Sequence, residues 1–319
     1  MSASLAARVA PLFVGFFGLM AVGLLLRRTL RGPVTPAAMS AALTAIILDV
    51  TAPLLVLDVL LRAPLAGPLA LALVAPTAAL LAALGLARLA AAALHVDRPA
   101  AGAMMLAAAF SNTGFMGIPI AQGLQPARPA AAQAAVLIDT ADTTVLLWTL
   151  GAALAARFGD GDEGGDLRAV VRSLLAKPLT WAVAAGLALN ACGAALPWWL
   201  RPGVERAGAA TGPLVFVVLG LNVDLARLRG RGAALAATVA LRAVAAPAVA
   251  YAVAWAIGLR GPAAWAGVMQ SAMPTALAAT VLVAQHRCDA VLASAACAVG
   301  TALAPLTLTA WAAAAERLM

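Results

Sequence analysis

Charge is scarce in this 319-residue sequence: Asp, Glu, Lys and Arg together make up 11% of it, against about 25% in a soluble globular domain. With 64% of residues hydrophobic and a mean hydropathy of +0.98, the chain is not a water-soluble enzyme. Cysteine is scarce as well. Cys192, Cys288 and Cys297 have neither CxxC spacing nor neighbouring histidine pairs, which argues against a disulfide framework or structural zinc and for free thiols. The formal net charge is +8, but the arginines stand singly or in small groups between apolar runs. That distribution fits an anionic membrane surface better than nucleic acid.

What the sequence has instead is apolar runs of crossing length. They fall at roughly 10–26, 37–61, 68–94, 100–124, 130–156, 178–196, 207–223, 233–257, 262–285 and 290–314, so about ten transmembrane helices are expected. The first is not a signal peptide, because Arg27, Arg28 and Arg31 follow its apolar stretch rather than precede it. Thirteen of the 21 basic residues lie in connections after the odd-numbered helices. The positive-inside rule puts that side in the cytoplasm and both termini outside, as in a bacterial inner-membrane protein. Trp198, Trp199, Trp265 and Trp311 then fall near the outer headgroups, and Trp181 near the inner ones.

The connection 157–177 is Gly- and Asp-rich and then basic, and reads as a solvated cytoplasmic tether between halves 1–156 and 178–319. The halves echo each other. PLLVLDVLL begins at Pro53 and PLVFVVLGL at Pro213, while Pro119 and Pro274 each precede the valine of an AVL triplet, Val136 or Val291, by 17 residues. Five crossings is an odd number, so two such repeats insert in opposite directions, the plan of many secondary transporters.

Pro119 and Pro274 sit in SNTGFMGIP of helix four and QSAMPT of helix nine. Each removes a backbone donor, and Gly114 and Gly117 weaken helix four further. Broken helices crossing near mid-membrane would present their charged ends beside Asn112, Thr113, Gly117, Gln270, Ser271 and Thr275, a site for a small anion with hydrogen-bonding groups. Asp139 and Asp142, three residues apart in helix five, fall on one face of an α-helix. Carboxylates in a membrane need pairing, hydration or protonation, so proton or sodium coupling is one reading and hydrogen bonding to Thr140, Thr143 and Thr144 the other. Arg242 in helix eight could snorkel to the cytoplasmic surface, face the cavity and attract a substrate carboxylate, or neutralise an aspartate of helix five. Asp58 pairs in this reading with Arg62, and Asp224 with Arg227. Helix five offers IDTADTT without the GxGD element of intramembrane aspartyl proteases, and there is no HExxH or recognisable hydrolase pattern, so an enzyme is not expected, and no cofactor or metal is called for.

These motifs resemble the auxin efflux carrier family, which includes plant carriers and bacterial relatives described as malonate transporters. Asn112 to Pro119, NTGFMGIP, resembles the family's helix-four motif, VLLWTL around Trp148 its helix five, and the stretch from Arg260 through GVMQSAMPT its helix nine. The resemblance implies an all-α, ten-helix fold with inverted repeats and crossed helices four and nine, comparable to that of sodium/proton antiporters and bile-acid symporters. It also implies a homodimer, with helices 1, 2, 6 and 7 as scaffold and 3–5 and 8–10 as an elevator-like transport domain. The implied substrate is a mono- or dicarboxylate bound near Asn112, Pro119, Gln270 and Pro274. The short cytoplasmic connection and the many alanines depart from plant members, so auxin itself is not assigned. The alternative function is a cation/proton antiporter centred on Asp139 and Asp142.

Overall fold

The computed structural model describes residues 5–32, 34–62, 68–160, 175–176, 178–222 and 231–319. The expected connection over 161–174 with Lys177, and the Asp224–Arg227 pair, lie outside the described residues. Every regular element among those residues is helical, and one isolated bridge supplies the only strand-like pairing. The helices are α1 (Leu5–Thr29), α2 (Pro36–Arg62), α3 (Leu71–Ala93), α4 (Arg98–Ala109), α5 (Ile118–Leu124), α6 (Ala130–Phe158), α7 (Pro178–Ala191), α8 (Arg201–Asn222), α9 (Gly232–Ala256), α10 (Pro262–Ala272), α11 (Leu277–Gln285) and α12 (Ala290–Ala315). Six of them, α2, α3, α6, α8, α9 and α12 with its 3-10 extension, are long and apolar enough to cross a membrane. At 14 residues, α7 would rise only about 21 Å, short of a hydrocarbon core of about 30 Å.

Local signals set several starts. Thr35, Asp97 and Asp289 cap α2, α4 and α12 by accepting from the amides of Ala38, Ala100 and Leu292. Proline stands in the first turn of α2, α4, α5 and α10, where its missing donor costs nothing. Three of the long helices widen into π-helix, at Ile47–Thr51 in α2, Asp139–Gly151 in α6 and Leu241–Ala245 in α9, and a fourth π stretch, Thr113–Gly117, leads into α5.

The chain divides into two compact units. One comprises Phe13–Ala63 and Leu167–Val223, the other Met1–Leu12, Pro64–Asp166 and Asp224–Met319. In the first, helix backbones approach through glycine: a Cβ on Gly220 of α8 would collide with the Met20 carbonyl and lie 2.9 Å from Cα of Gly23 in α1. Phe16 and Phe216 stack beside this crossing with ring centroids 4.6 Å apart. Asn190 of α7 donates to the Leu60 carbonyl at 2.7 Å, and Ser40 of α2 donates to the Asn222 side chain at 2.9 Å. Arg62 pairs with Asp58 as expected, and also with Glu205, which Arg201 binds at 2.8 Å.

In the second unit α10 packs against α3, α6, α9 and α12, and every residue from Ala264 to Ala272 is buried. Small alanine side chains allow such close approach without a soluble-type hydrophobic drive. Trp265 belongs to this buried run at 0% exposure, which corrects its expected place among outer headgroups. Trp198 and Trp199 are exposed, and the Trp311 indole donates to the Ala243 carbonyl at 2.9 Å.

Candidate functional site

Two helices of the second unit are interrupted, and their gaps pair with each other. Between α4 and the π turn that leads to α5, Ser111 forms an antiparallel bridge with Thr275, which lies between α10 and α11. The Asn112 amide donates to the Pro274 carbonyl at 2.8 Å, and the Ala276 amide donates to the Phe110 carbonyl at 2.8 Å. Each gap thus satisfies backbone groups that the other exposes, the condition for irregular backbone at membrane depth. The second gap coincides with Pro274, as expected. The first does not fall at Pro119 but at Phe110–Asn112. Pro119 stands in the first turn of α5, and the π geometry of Thr113–Gly117, with the Gly117 amide bonded to the Asn112 carbonyl at 3.1 Å, carries the chain into it. A proline needs no donor there, so it begins the second half-helix rather than breaking the first.

The site residues read from sequence gather at this crossing. Asn112, Thr113, Gln270, Ser271, Pro274 and Thr275 are buried, Gly117 is buried with them, and Pro119 is half-buried. The Gln270 side chain lies directly over Gly117: a Cβ there would collide with the Gln270 amide, so only glycine leaves that space. Gln270 is 1% exposed, yet neither its oxygen nor its nitrogen has a hydrogen-bond partner among the described residues. The Asn112 side-chain nitrogen Nδ2 and the Ser271 hydroxyl are likewise buried and unpartnered among the described residues. An unmatched buried polar group costs about 1–3 kcal/mol, so four such atoms at one crossing mark a place built to meet something else. Thr275 is different. Its hydroxyl donates to the Ala107 carbonyl at 2.8 Å and its carbonyl accepts from the Cys297 thiol at 3.3 Å, so it ties the crossing together.

Charge is arranged by helix polarity. Arg242 is 3% exposed and reaches neither the surface nor an aspartate; it donates to the carbonyls of Ala108 at 3.0 Å and Ala109 at 2.7 Å, and to that of Ser271. These are last-turn carbonyls of α4 and α10, orphan acceptors at the negative ends of two half-helices. One guanidinium, with five donors in a fixed fork, caps both. The snorkelling reading of Arg242 is therefore corrected, whereas its charge still acts on the helix-five Asp142 without a direct salt bridge between them among the described residues.

Asp139 stands at the opposite pole. Thr113, at the start of the π turn, donates to its carboxylate at 2.5 Å and lies 2.6 Å from the Thr143 hydroxyl. A Cβ on Gly114 would be 3.0 Å from the same carboxylate oxygen. An acid at a half-helix N-terminus is favourable. Asp142 turns elsewhere and accepts from Thr77 of α3 at 3.3 Å. The two carboxylates, on a stretch that runs as π-helix over Asp139–Gly151, thus take different hydrogen-bond partners. Thr140 bonds the Val136 carbonyl instead of either acid, and the Thr143 hydroxyl reaches the Ser111 carbonyl at 3.3 Å. Neither aspartate forms an ion pair among the described residues.

Thr143 was among the threonines expected to bond the helix-five aspartates, and it stands beside Asp139 and Thr113. Thr77 and Ser111 were not legible as site residues in the sequence, and nothing local distinguishes Thr77 from a packing threonine.

Residues 167–312 match the family described as membrane transport protein. An uncharacterized transporter of Methanothermobacter thermautotrophicus is 28% identical over 280 residues, covering 85% of this chain and 88% of the relative. Over these residues the chain is similar to membrane transport proteins. The family match contains Arg242 and the whole α10–α11 interruption, and the motif resemblance at Asn112–Pro119 supplies the other half of the crossing. Transport is the class of activity that these similarities support.

Proposed function

We propose that this membrane transport protein carries a small organic anion, a mono- or dicarboxylate, by alternating access around the crossing of the two interrupted helices. The observation that carries the reading is the unpartnered, buried Gln270 amide seated over Gly117, with the Asn112 amide nitrogen at the same crossing. Amide donors and half-helix N-termini are groups that recognise carboxylates. Of the half-helix ends, those of α4 and α10 are capped by Arg242 and the turn into α5 meets Asp139, whereas no side chain caps α11. A substrate carboxylate at the α11 end would complete the set.

The reading extends to a ten-helix inverted repeat in a bacterial inner membrane, working as a dimer with an elevator movement. The chain's two compact units, whose boundaries follow the grouping of helices 1, 2, 6 and 7 against 3–5 and 8–10, support a scaffold and a moving domain. Asp139 and Asp142 favour a second reading, cation/proton antiport, because both are buried without an ion pair among the described residues.

Flux of radiolabelled malonate into proteoliposomes, with the pH gradient and membrane potential imposed separately, distinguishes the two. We expect saturable malonate flux that falls about tenfold or more in Asn112→Ala and Gln270→Ala, the loss of roughly one hydrogen bond's discrimination. Stability should change by less than about 1 kcal/mol, since neither side chain loses a protein partner. Pairing with a proton would appear as a pH response flattened in Asp139→Asn. Dissipation of a pH gradient by sodium or potassium without malonate flux would overturn the anion reading and support the antiporter.

A further inference from the structure

A cavity of about 960 Å³ opens at the end of α3 that the arginine distribution assigns to the cytoplasm, beside the first turn of α4, the helix whose last turn reaches the crossing. Arg88, His95, Arg98 and Arg157 line it together with Ala92 and Phe158, and among the described residues none of its lining is acidic. The nearest acid in sequence, Asp97, is turned to the Ala100 amide at 2.8 Å and lines a smaller neighbouring cavity with Arg231. Arg98 is fixed in place by donating to the Arg157 carbonyl at the end of α6, at 2.9 Å from Nε. No ion pair among the described residues neutralises Arg88 or Arg157.

The face of α3 leading to this cradle is apolar and open. Leu81, Gly85, Arg88, Leu89 and Ala92 recur at helical spacing on one side. Leu81 is 53% and Leu89 67% exposed, and nothing lies within 4 Å of the place a Cβ on Gly85 would take. A basic pocket at the head of an open apolar groove matches an amphiphile with an anionic head. A free phosphate would use the arginines but not the groove.

We propose that the Arg88, His95, Arg98 and Arg157 cradle binds the headgroup of an anionic phospholipid whose acyl chain lies along the Leu81–Gly85–Leu89 face of α3. The phosphodiester would take charge-assisted hydrogen bonds from guanidinium groups, for which arginine's planar fork is suited. Occupancy of this site is measurable without any transport assay.

The test is native mass spectrometry of the full chain in mild detergent, titrated separately with phosphatidylglycerol, phosphatidylcholine and inorganic phosphate. We expect phosphatidylglycerol to bind about tenfold more tightly than phosphatidylcholine, and the doubly substituted Arg88→Gln, Arg157→Gln protein to lose that preference. Leu89→Ser should weaken phosphatidylglycerol binding and leave phosphate binding unchanged. Should the double variant fail to fold, the wild-type lipid preference and Leu89→Ser decide the matter by themselves. Equal retention of the two lipids, unchanged binding in a folded arginine variant, or phosphate displacing phosphatidylglycerol at similar concentration would each overturn the proposal.

Discussion

The unit built from Phe13–Ala63 and Leu167–Val223 holds its described ion pairs at half-exposed helix ends, where Arg62 and Arg201 meet Asp58 and Glu205. The other unit buries Arg242, Asp139 and Asp142 and sets Arg242 and Asp139 against interrupted backbone. The first arrangement can be lost at little cost, since exposed pairs contribute about 0–1 kcal/mol. The second cannot, because a buried guanidinium bound to three carbonyls leaves all of them orphaned when removed. Packing shows the complementary contrast. Gly23 and Gly220 bring backbone onto backbone, whereas Gly117 leaves room for the movable end of a side chain. One unit uses small residues to fix helices, and the other uses them to make space for a polar group with no partner.

The largest effect expected from this contrast is on stability. Arg242→Ala should lower the unfolding free energy in mixed micelles by about 3–5 kcal/mol, and Arg62→Ala by less than about 1 kcal/mol. Similar losses in the two variants would dissolve the distinction between buried and exposed charge. A smaller and sharper test uses the glycines. In Gly220→Ala the new methyl meets the Met20 carbonyl and the Gly23 backbone, which cannot turn aside, so a loss of about 1–3 kcal/mol is expected. In Gly117→Ala the methyl's nearest contacts are all to the Gln270 amide, which can rotate away. Stability should hold while malonate flux falls, and a Gly117→Ala protein with unaltered flux would remove Gln270 from the substrate path.

Much of this was legible in the sequence because it rests on composition and punctuation. Low charge and long apolar runs gave the membrane class, and the proline at 274 located one interruption. The gathering of Asn112, Thr113, Gln270 and Thr275 followed from placing two weakened helices together. What escaped was geometry that one helix cannot encode. The first gap lies upstream of Pro119 because the partner backbone at Pro274 and Ala276 stabilises it, a long-range pairing with no local signal. The roles of Arg242 and Asp142 depend on where π-helical turns point them, and propensity scales describe only the α-helical alternative. Trp265 was misplaced for a related reason, since a lone tryptophan near a helix start looks the same whether it meets headgroups or neighbouring helices.

The smallest effect expected concerns the cysteines, and it compares the units without disturbing either. Cys192, at the end of α7, is exposed, whereas Cys288 and Cys297 of the other unit are buried. Cys288 lies in the connection between α11 and α12, where burial pushes its thiol up to about 11, with Asp160 adding to the rise and Arg98 opposing it. At pH 8 about one Cys288 in a thousand would be a thiolate, the form that reacts with maleimide. The folded protein should therefore take up label at Cys192 alone, and Cys192→Ser should reduce labelling to about a tenth or less. Labelling of Cys288 that rises when malonate is added would show that the α11–α12 connection opens during transport. Rapid labelling of Cys288 without substrate would mean that this end of the second unit is looser than its packing implies, and the contrast between the two units would then have to be drawn from the crossing alone.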